Sequence, residues 1–570
     1  MMKKQNRFSN EVFMYSLILS LAFLLRFILL GKLPLVNSEA SFALQAWQLW
    51  KGDSLVIGSQ VSYLSITKAL FSIFGSGNFL ARFWPAFSGS LIVLVPFLIK
   101  DRFGRWPALL LAFGLALDPG LVAVSRIAGG PMSALVFLLL ALAAFHVGHL
   151  PLTIFLVFLG LFSGPAFWLG TAILGLTILL SGILGIINPA PYIKERLNLV
   201  MGENKSSQYK PGDFALPLLM VIVLGSFFFT RIQGLSAWSG SVPEFFSSWL
   251  SLPEFRFPGL LLNLVVSSPL ILVFGGLGFY SAWKESDRQG KISSIWFGIA
   301  LIITLVFPGR RPADMIWLVI PLWISTAREL IRINNLVKGS WLVYLLGGLI
   351  GILITMNWLT FTGMIFQIDE QRAVLLQWGL IGASLALVLL AMTIVASEWG
   401  WDSAKKGLSL GTASMLLLFT LSVLAQEAYL RAGDPRSLWS DGSGSGQMDL
   451  LLDTVGDISV SQTGRWDSIQ GGVIRANDNL RWTFRDMINF EFYDTYKSEN
   501  LLPILITSEQ DQYLIPLESY RGQDFVSRTK PGWQGLIPED WISWIAFRQG
   551  PIENEHIILW VRGDLLMGED

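Results

Sequence analysis

The residues of this chain that could do chemistry are one carboxylate and a scatter of arginines. Glu39 lies in "LPLVNSEASFALQAWQLWKGD", where Ala40, Ala43, Leu44, Trp47 and Trp50 recur at helical spacing, so it stands at the start of an amphipathic interfacial helix. A carboxylate held against apolar surface can act as general base on a hydroxyl. It can equally sit in the first turn of that helix, behind Asn37 or Ser38 as N-cap, where the dipole favours an acid. Arg82 follows "FGSGNFLA", Arg126 closes "LDPGLVAVSR", and "GRRPADMIW" sets Arg310 and Arg311 beside Asp314. Guanidinium forks bind phosphate oxygens in pairs, so arginines beside an apolar groove suit a lipid-linked phosphate. Snorkelling to the interface, with Asp314 as counter-ion, is the structural alternative. Asp118 either starts a turn with Pro119 or serves as a supporting acid. Adjacent Asp369 and Glu370 suit a helix cap better than a cation site.

Composition identifies the elements that must hold these side chains. Of 570 residues, 53% are hydrophobic and only 14% charged, against about 25% charged in soluble domains. The chain reads as a polytopic α-helical membrane protein. About thirteen apolar stretches of spanning length begin near residues 12, 82, 106, 131, 150, 166, 213, 260, 293, 314, 340, 373 and 408. The first is too long for the apolar region of a signal peptide and reads as a retained helix.

Cations mark alternate ends of these stretches: Lys3, Lys4 and Arg7, then Lys100, Arg102 and Arg105, then Lys194, Arg196, Lys205 and Lys210. Lys284, Arg288 and Lys291 follow, then Arg328, Arg332 and Lys338, and finally Lys405 and Lys406. Positively charged loops face the cytoplasm, and parity holds only if residues 150 to 187 cross twice. The expectation is a multi-pass plasma-membrane protein with a cytoplasmic N-terminus, a transmembrane domain over 1–427 and everything later outside. Residues 428–446, with "GSGSG", read as a polar linker, and 447–570 as a soluble extracytoplasmic α/β domain. There "LLPILIT" and "HIILWVR" have strand character, and "QMDLLLDTVGD" has helical spacing.

The same counts exclude several functions. Lys plus Arg number 41 and so do Asp plus Glu, so no excess of cations serves nucleic acid. The chain has no Cys, which removes disulfides and thiolate chemistry. Its His number 3, and His146 and His149 have no third ligand nearby in sequence, which argues against a histidine metal site. No Walker or dinucleotide glycine loop is present.

Taken in order, the motifs carry a resemblance. A first span ending in Arg26, an acid before the series Glu39, Ala43, Ala46, Leu49 and Gly52, then "LFSIFGSGNFLARFWPAFSGSL", "DRFGR" and "PGLVAVSRIA" are similar to the N-terminal half of GT-C membrane glycosyltransferases. The protein O-mannosyltransferase and aminoarabinose-transferase branch is the nearest. The match covers roughly the first 190 residues, and "RRPADMIWLVIPL" with the outward C-terminal domain extends it. The resemblance implies inverting transfer of a sugar from a polyprenyl-phosphate donor to a protein, lipid or glycan on the outer face. It implies Glu39 as general base, and Arg82, Arg126 and Arg310 or Arg311 at the donor phosphate, where cations stabilise the departing charge.

Two departures stand out. Ser38-Glu39 replaces the Asp-Glu usual in the first loop, and "GGPM" follows Arg126 where a second acid is expected. They leave open a different acceptor, a site without metal or an inactive relative, with Asp118 or Asp314 as substitute acids. A divalent cation stays open as a cofactor, and membrane lipids and the donor are the expected partners. The alternative function is a non-catalytic transporter or accessory protein for lipid-linked glycans, although no inverted repeat supports it.

Overall fold

A computed structural model describes the chain apart from residues 1, 189–190, 192–209, 254, 256, 336–340, 365–370, 438, 440–443, 445, 495–500, 517, 534–540 and 566–570. Lys194, Arg196, Lys205, Lys338, Asp369, Glu370 and part of the 428–446 stretch lie outside the described residues.

The chain is a polytopic α-helical membrane protein with a small C-terminal sheet domain. The first helices are α1 (Met2–Phe27), α2 (Asn37–Lys51), α3 (Val61–Phe74) and α4 (Asn78–Ser90). A short 3-10 turn joins α4 to α5 (Leu94–Phe103), and α6 (Arg105–Leu117), α7 (Pro119–Ser125) and α8 (Pro131–Val147) follow. Every apolar stretch read from the sequence coincides with a helix. The count of thirteen spans is not reached by length and composition: among the described residues 7 helices suffice, or 9 if each of two bent pairs is one span. The shortfall has physical causes. The helices Pro131–Val147, Leu150–Leu161 and Ala215–Gly225 are short, and Ile316–Asn334 carries Arg328, Glu329 and Arg332 in its last turns. In the helix over Leu375–Trp399 only Val395 is buried, as befits an apolar helix largely solvated by lipid.

The bends are local in origin. Pro119 cannot donate to the preceding turn, and Asp118 caps the new helix by accepting from Leu121 N at 3.0 Å, so α6 and α7 meet at 54°. Pro269 similarly divides Phe257–Ser267 from Pro269–Lys284 at 92°. At the end of α2, Gly52 takes φ 96°, a left-handed cap that a side chain would resist.

The basic loops meet one another at one end of the bundle. Lys100 reaches Glu11 at 3.5 Å, Gln289 reaches Arg102 O at 3.3 Å, Arg328 pairs with Asp287 at 2.8 Å, and Lys406 holds Asn334 O at 2.7 Å. The C-terminal domain touches segments of the other end. Asn479 N donates to Asn37 Oδ1 at 3.2 Å, Trp482 Nε1 donates to Asn78 Oδ1 at 2.9 Å, and Arg485 Nε donates to Ser76 Oγ at 3.2 Å.

The domain is built on a mixed five-stranded sheet in the order β2-β1-β3-β5-β4. Its strands are β1 (Gly471–Ile474), β2 (Phe490–Tyr493), β3 (Ile504–Ser508), β4 (Tyr520–Pro531) and β5 (Ile552–Arg562). β1 runs parallel to β2 and β3, and β5 runs antiparallel to β3 and β4. Helix α9 (Asp478–Thr483) lies in the β1–β2 crossover, and it is this helix that sits on α2. "LLPILIT" and "HIILWVR" fall on β3 and β5.

Described residues of the stretch read as a polar linker are held to both neighbours: Arg431 donates to Phe547 O at 2.9 Å, Gly444 N donates to Thr529 O at 2.9 Å, and Trp439 enters the helical core. Trp439 is 1% exposed within the helical core, and its Nε1 donates to Ser267 Oγ at 3.0 Å. Its indole packs on Gly120, where any Cβ would collide with the ring. One indole outweighs the polar residues around it, because burying an aromatic of this size is worth several of their solvated contacts.

Candidate functional site

The residues expected to form one site divide between two cavities. Glu39, Arg82 and Arg126 line a small one of about 110 Å³, whereas Arg310, Arg311 and Asp314 line a larger one of about 550 Å³. Helix α2 serves both: Glu39 and the preceding Val36 line the first, and Phe42 and Gln45 on another face line the second. Asp118 lines neither of the two.

Around Glu39 the polar groups satisfy one another. Glu39 lies inside α2 as its third residue, with Val36 rather than Asn37 or Ser38 at the N-cap. Its Oε1 accepts from Arg82 Nε at 2.8 Å and Ala128 N at 2.9 Å, and its Oε2 accepts from Arg82 Nη2 at 2.5 Å and Val36 N at 3.2 Å. Four N–H groups on two carboxylate oxygens occupy its lone pairs. All five N–H groups of Arg82 are likewise engaged, with Leu30 O at 3.3 Å, Leu33 O at 2.8 Å and Pro34 O at 3.0 Å completing the set. The pair therefore ties the first loop, α4 and the segment before α8 together in a buried position.

The other expected residues have comparable duties. Arg126 Nη1 donates to Leu25 O, Arg26 O and Ile28 O at the end of α1, and its guanidinium lies 5.1 Å from the Tyr429 ring. Asp118 is fully buried, and its Oδ2 accepts from Trp323 Nε1 at 2.8 Å. Arg310 donates to three backbone carbonyls: Phe255 O at 2.8 Å, Leu305 O at 3.1 Å and Phe307 O at 3.2 Å. Burial lowers the Arg310 pKa. Asp314 Oδ2 accepts from Arg311 N at 2.8 Å and so shapes the turn that carries both arginines. Arg311 differs, because among the described residues no group pairs with its guanidinium. Among the described residues, no group of three or more His, Asp or Glu is placed to hold a metal ion.

The larger cavity is walled by elements distant in sequence. Trp168 Nε1 donates to Ser241 Oγ at 2.8 Å, which fastens the short helix Ser241–Ser248 to the helix Pro165–Ile183. Phe307 packs on Trp249 at 5.0 Å and on Phe245 at 6.1 Å, which sets the Arg310–Arg311 turn against that short helix. Between them the cavity presents Gln45, Ser59, Gln60, Glu244 and Arg311, with Leu252, 92% exposed, also lining it. Gln60 is 9% exposed and its Oε1, like that of Gln45, has no hydrogen-bond partner among the described residues. Buried amide oxygens without partners are costly, and hydroxyl groups entering the cavity would satisfy them.

Glu244, Gln45, Ser59 and Gln60 were not read from the sequence as site residues. A signal was present for Glu244: it is an acid within the aromatic, amphipathic run "SVPEFFSSWL", in a connection of about 30 residues, a length that usually marks function. The amides carried no such signal, because only the fold brings their two segments to one cavity.

No protein-family model matches the chain, and no curated protein sequence matches it. Solved structures do. ArnT from Cupriavidus metallidurans bound to undecaprenyl phosphate is 15% identical, with a TM-score of 0.52 over 96% of this chain and 98% of that one. The apo state of the same protein gives 15% identity and a TM-score of 0.51 over the same shares. At this identity the likeness is one of fold, and it runs through the helical bundle and the C-terminal sheet alike. The chain thus has, almost end to end, the fold of ArnT, as the sequence resemblance to the GT-C membrane glycosyltransferases leads one to expect.

Proposed function

We propose that this chain transfers a sugar from a polyprenyl-phosphate donor to an acceptor on the outer face of the membrane, with inversion at the sugar carbon. The observation that carries this reading is the larger cavity: a guanidinium and two amide oxygens that find no partner among the described residues, and an exposed leucine, line one space of about 550 Å³. A lipid phosphate sugar offers an anion, hydroxyl donors and an apolar tail to match. The fold shared with a protein crystallised with undecaprenyl phosphate supports the same ligand class.

In this reading Arg311 meets the donor phosphate and Gln45 and Gln60 accept from sugar hydroxyls. Glu39 and Arg82 act as positioning residues that fix the first loop. Arg126 caps α1 and Arg310 holds the turn that presents Arg311. The basic end of the bundle is cytoplasmic, and the C-terminal domain is extracytoplasmic over α2.

Saturation of Glu39 favours the second reading, a carrier or accessory protein that binds lipid-linked glycans without chemistry. One experiment separates them: release of polyprenyl phosphate from a panel of polyprenyl-phosphate sugars by the purified protein in lipid discs. Transfer predicts turnover with at least one donor. Saturable binding with no turnover would replace it with the carrier reading.

A further inference from the structure

We propose that Glu244 is the group that takes the acceptor's proton, an inference that rests on the transfer reading above. The carboxylates in the neighbourhood are committed elsewhere in ways that Glu244 is not. Glu39 has both oxygens filled by N–H groups, Asp118 is buried against Trp323 and the cap of α7, and Asp314 holds the Arg311 backbone. Glu244 is exposed and lines the larger cavity, and its Oε2 accepts from Ser59 Oγ at 2.6 Å. No described residue occupies its Oε1. Ser59 is 5% exposed and so fixes the carboxylate from the wall side, which leaves one oxygen for a ligand.

A second observation points to a ligand in the same place. Gln60, the residue next to Ser59, is 9% exposed and its Oε1 is without a partner among the described residues. A hydroxyl-rich molecule would supply the missing donor. The charged groups that share the cavity are Arg310, Arg311 and Asp314, so a base and a guanidinium without a partner among the described residues line one space.

The step balances with the donor and a hydroxyl acceptor alone. The acceptor oxygen forms a bond to the anomeric carbon as the bond from that carbon to the phosphate oxygen breaks. The electron pair leaves with polyprenyl phosphate, whose charge Arg311 meets. The proton of the acceptor hydroxyl passes to Glu244 Oε1. A base placed in this way contributes about a hundredfold or more to the rate.

The test compares wild type with Glu244→Gln, Glu244→Asp and Ser59→Ala in lipid discs. Polyprenyl-phosphate hexoses and pentoses serve as donors, with water and a hydroxyl-bearing glycolipid as acceptors, and release of polyprenyl phosphate is followed against pH. Glu244→Gln keeps an oxygen for Ser59, so it should retain the wild-type donor KM and melting temperature. Its kcat should fall about a hundredfold or more, and the decline of kcat toward acid should vanish. Glu244→Asp should keep part of the rate and the acid limb, and Ser59→Ala should lose less than Glu244→Gln. Should Glu244→Gln fold poorly, the rate and acid limb of Glu244→Asp decide. A Glu244→Gln rate within threefold of wild type, or an unchanged acid limb, overturns the role of Glu244 and leaves transfer standing. Wild-type protein that releases no polyprenyl phosphate from any donor overturns transfer itself, and this step with it.

Discussion

Glu39→Gln separates holding the fold from doing chemistry, because the substitution keeps shape and removes charge. The side chains of Arg82 and Glu39 are only 9% and 3% exposed. A glutamine there offers one acceptor oxygen in place of two, and its NH₂ faces Arg82 Nη2, Ala128 N or Val36 N as donor against donor. Removing one partner of a buried ion pair costs about 3–5 kcal/mol, chiefly because the other charge stays buried and unpaired. At about 2 °C per kcal/mol for a large domain, the apparent melting temperature should fall by about 6 °C or more. Intrinsic tryptophan fluorescence of the protein in lipid discs reads that change. Arg82→Met should destabilise too, since it also leaves Leu30 O, Leu33 O and Pro34 O without donors. The double variant should be less damaged than the sum of the two singles, because the shared pair can be lost only once. Folded Glu39→Gln should retain kcat within about threefold, since a residue that only holds the loop makes no bond to the reacting atoms. An unchanged melting temperature with abolished turnover would refute this reasoning and return the base to Glu39.

Other consequences follow from the same contacts. Arg311→Ala should raise donor KM roughly 10- to 100-fold, the worth of a charge-assisted hydrogen bond; Arg310→Ala should instead lower the melting temperature by freeing three carbonyls, and donor titration beside thermal unfolding distinguishes the two. Trp482 is 2% exposed, and its ring lies near Phe71 and under Arg485, at 3.8 Å from the guanidinium. Trp482→Ala should weaken the docking of α9 by about 3–5 kcal/mol, seen as faster hydrogen exchange over residues 478–484. The absence of Cys makes topology directly testable: an impermeant maleimide applied to intact cells should label a cysteine placed at Trp466 but not one at Lys405. The reverse labelling would invert the orientation.

The fold was far more legible than the site. Apolar runs such as those from Trp341 and Gln371 read as helices because lipid leaves the backbone no other way to satisfy itself. Two of the five strands of the C-terminal domain, β3 and β5, were marked by β-branched runs at Ile504 and Ile557. The number of spans was less legible, because helices such as Leu150–Leu161 and Ala215–Gly225 are apolar but short of spanning length, and Pro119 and Pro269 break two others. Site residues were hardest, for a physical reason: arginine chemistry looks the same in sequence whether the guanidinium ends on a phosphate or on backbone carbonyls. Arg126 and Arg310 end on carbonyls and Arg82 on carbonyls and Glu39, which depends on where the helices before them stop. Trp439 shows the same limit, since nothing local marks one residue of a polar stretch as the plug of a distant core.

The central claim is that donor lipid occupies the larger cavity, and photo-crosslinking tests it most directly. Undecaprenyl phosphate carrying a diazirine near the phosphate is added to the protein in lipid discs, illuminated, and its attachment mapped by mass spectrometry. The account predicts labelling over residues 244–252 and 307–311, competed by unlabelled lipid and lost in Arg311→Ala. Competable labelling over residues 29–36 and 427–437, around Glu39 and Arg126, would contradict it.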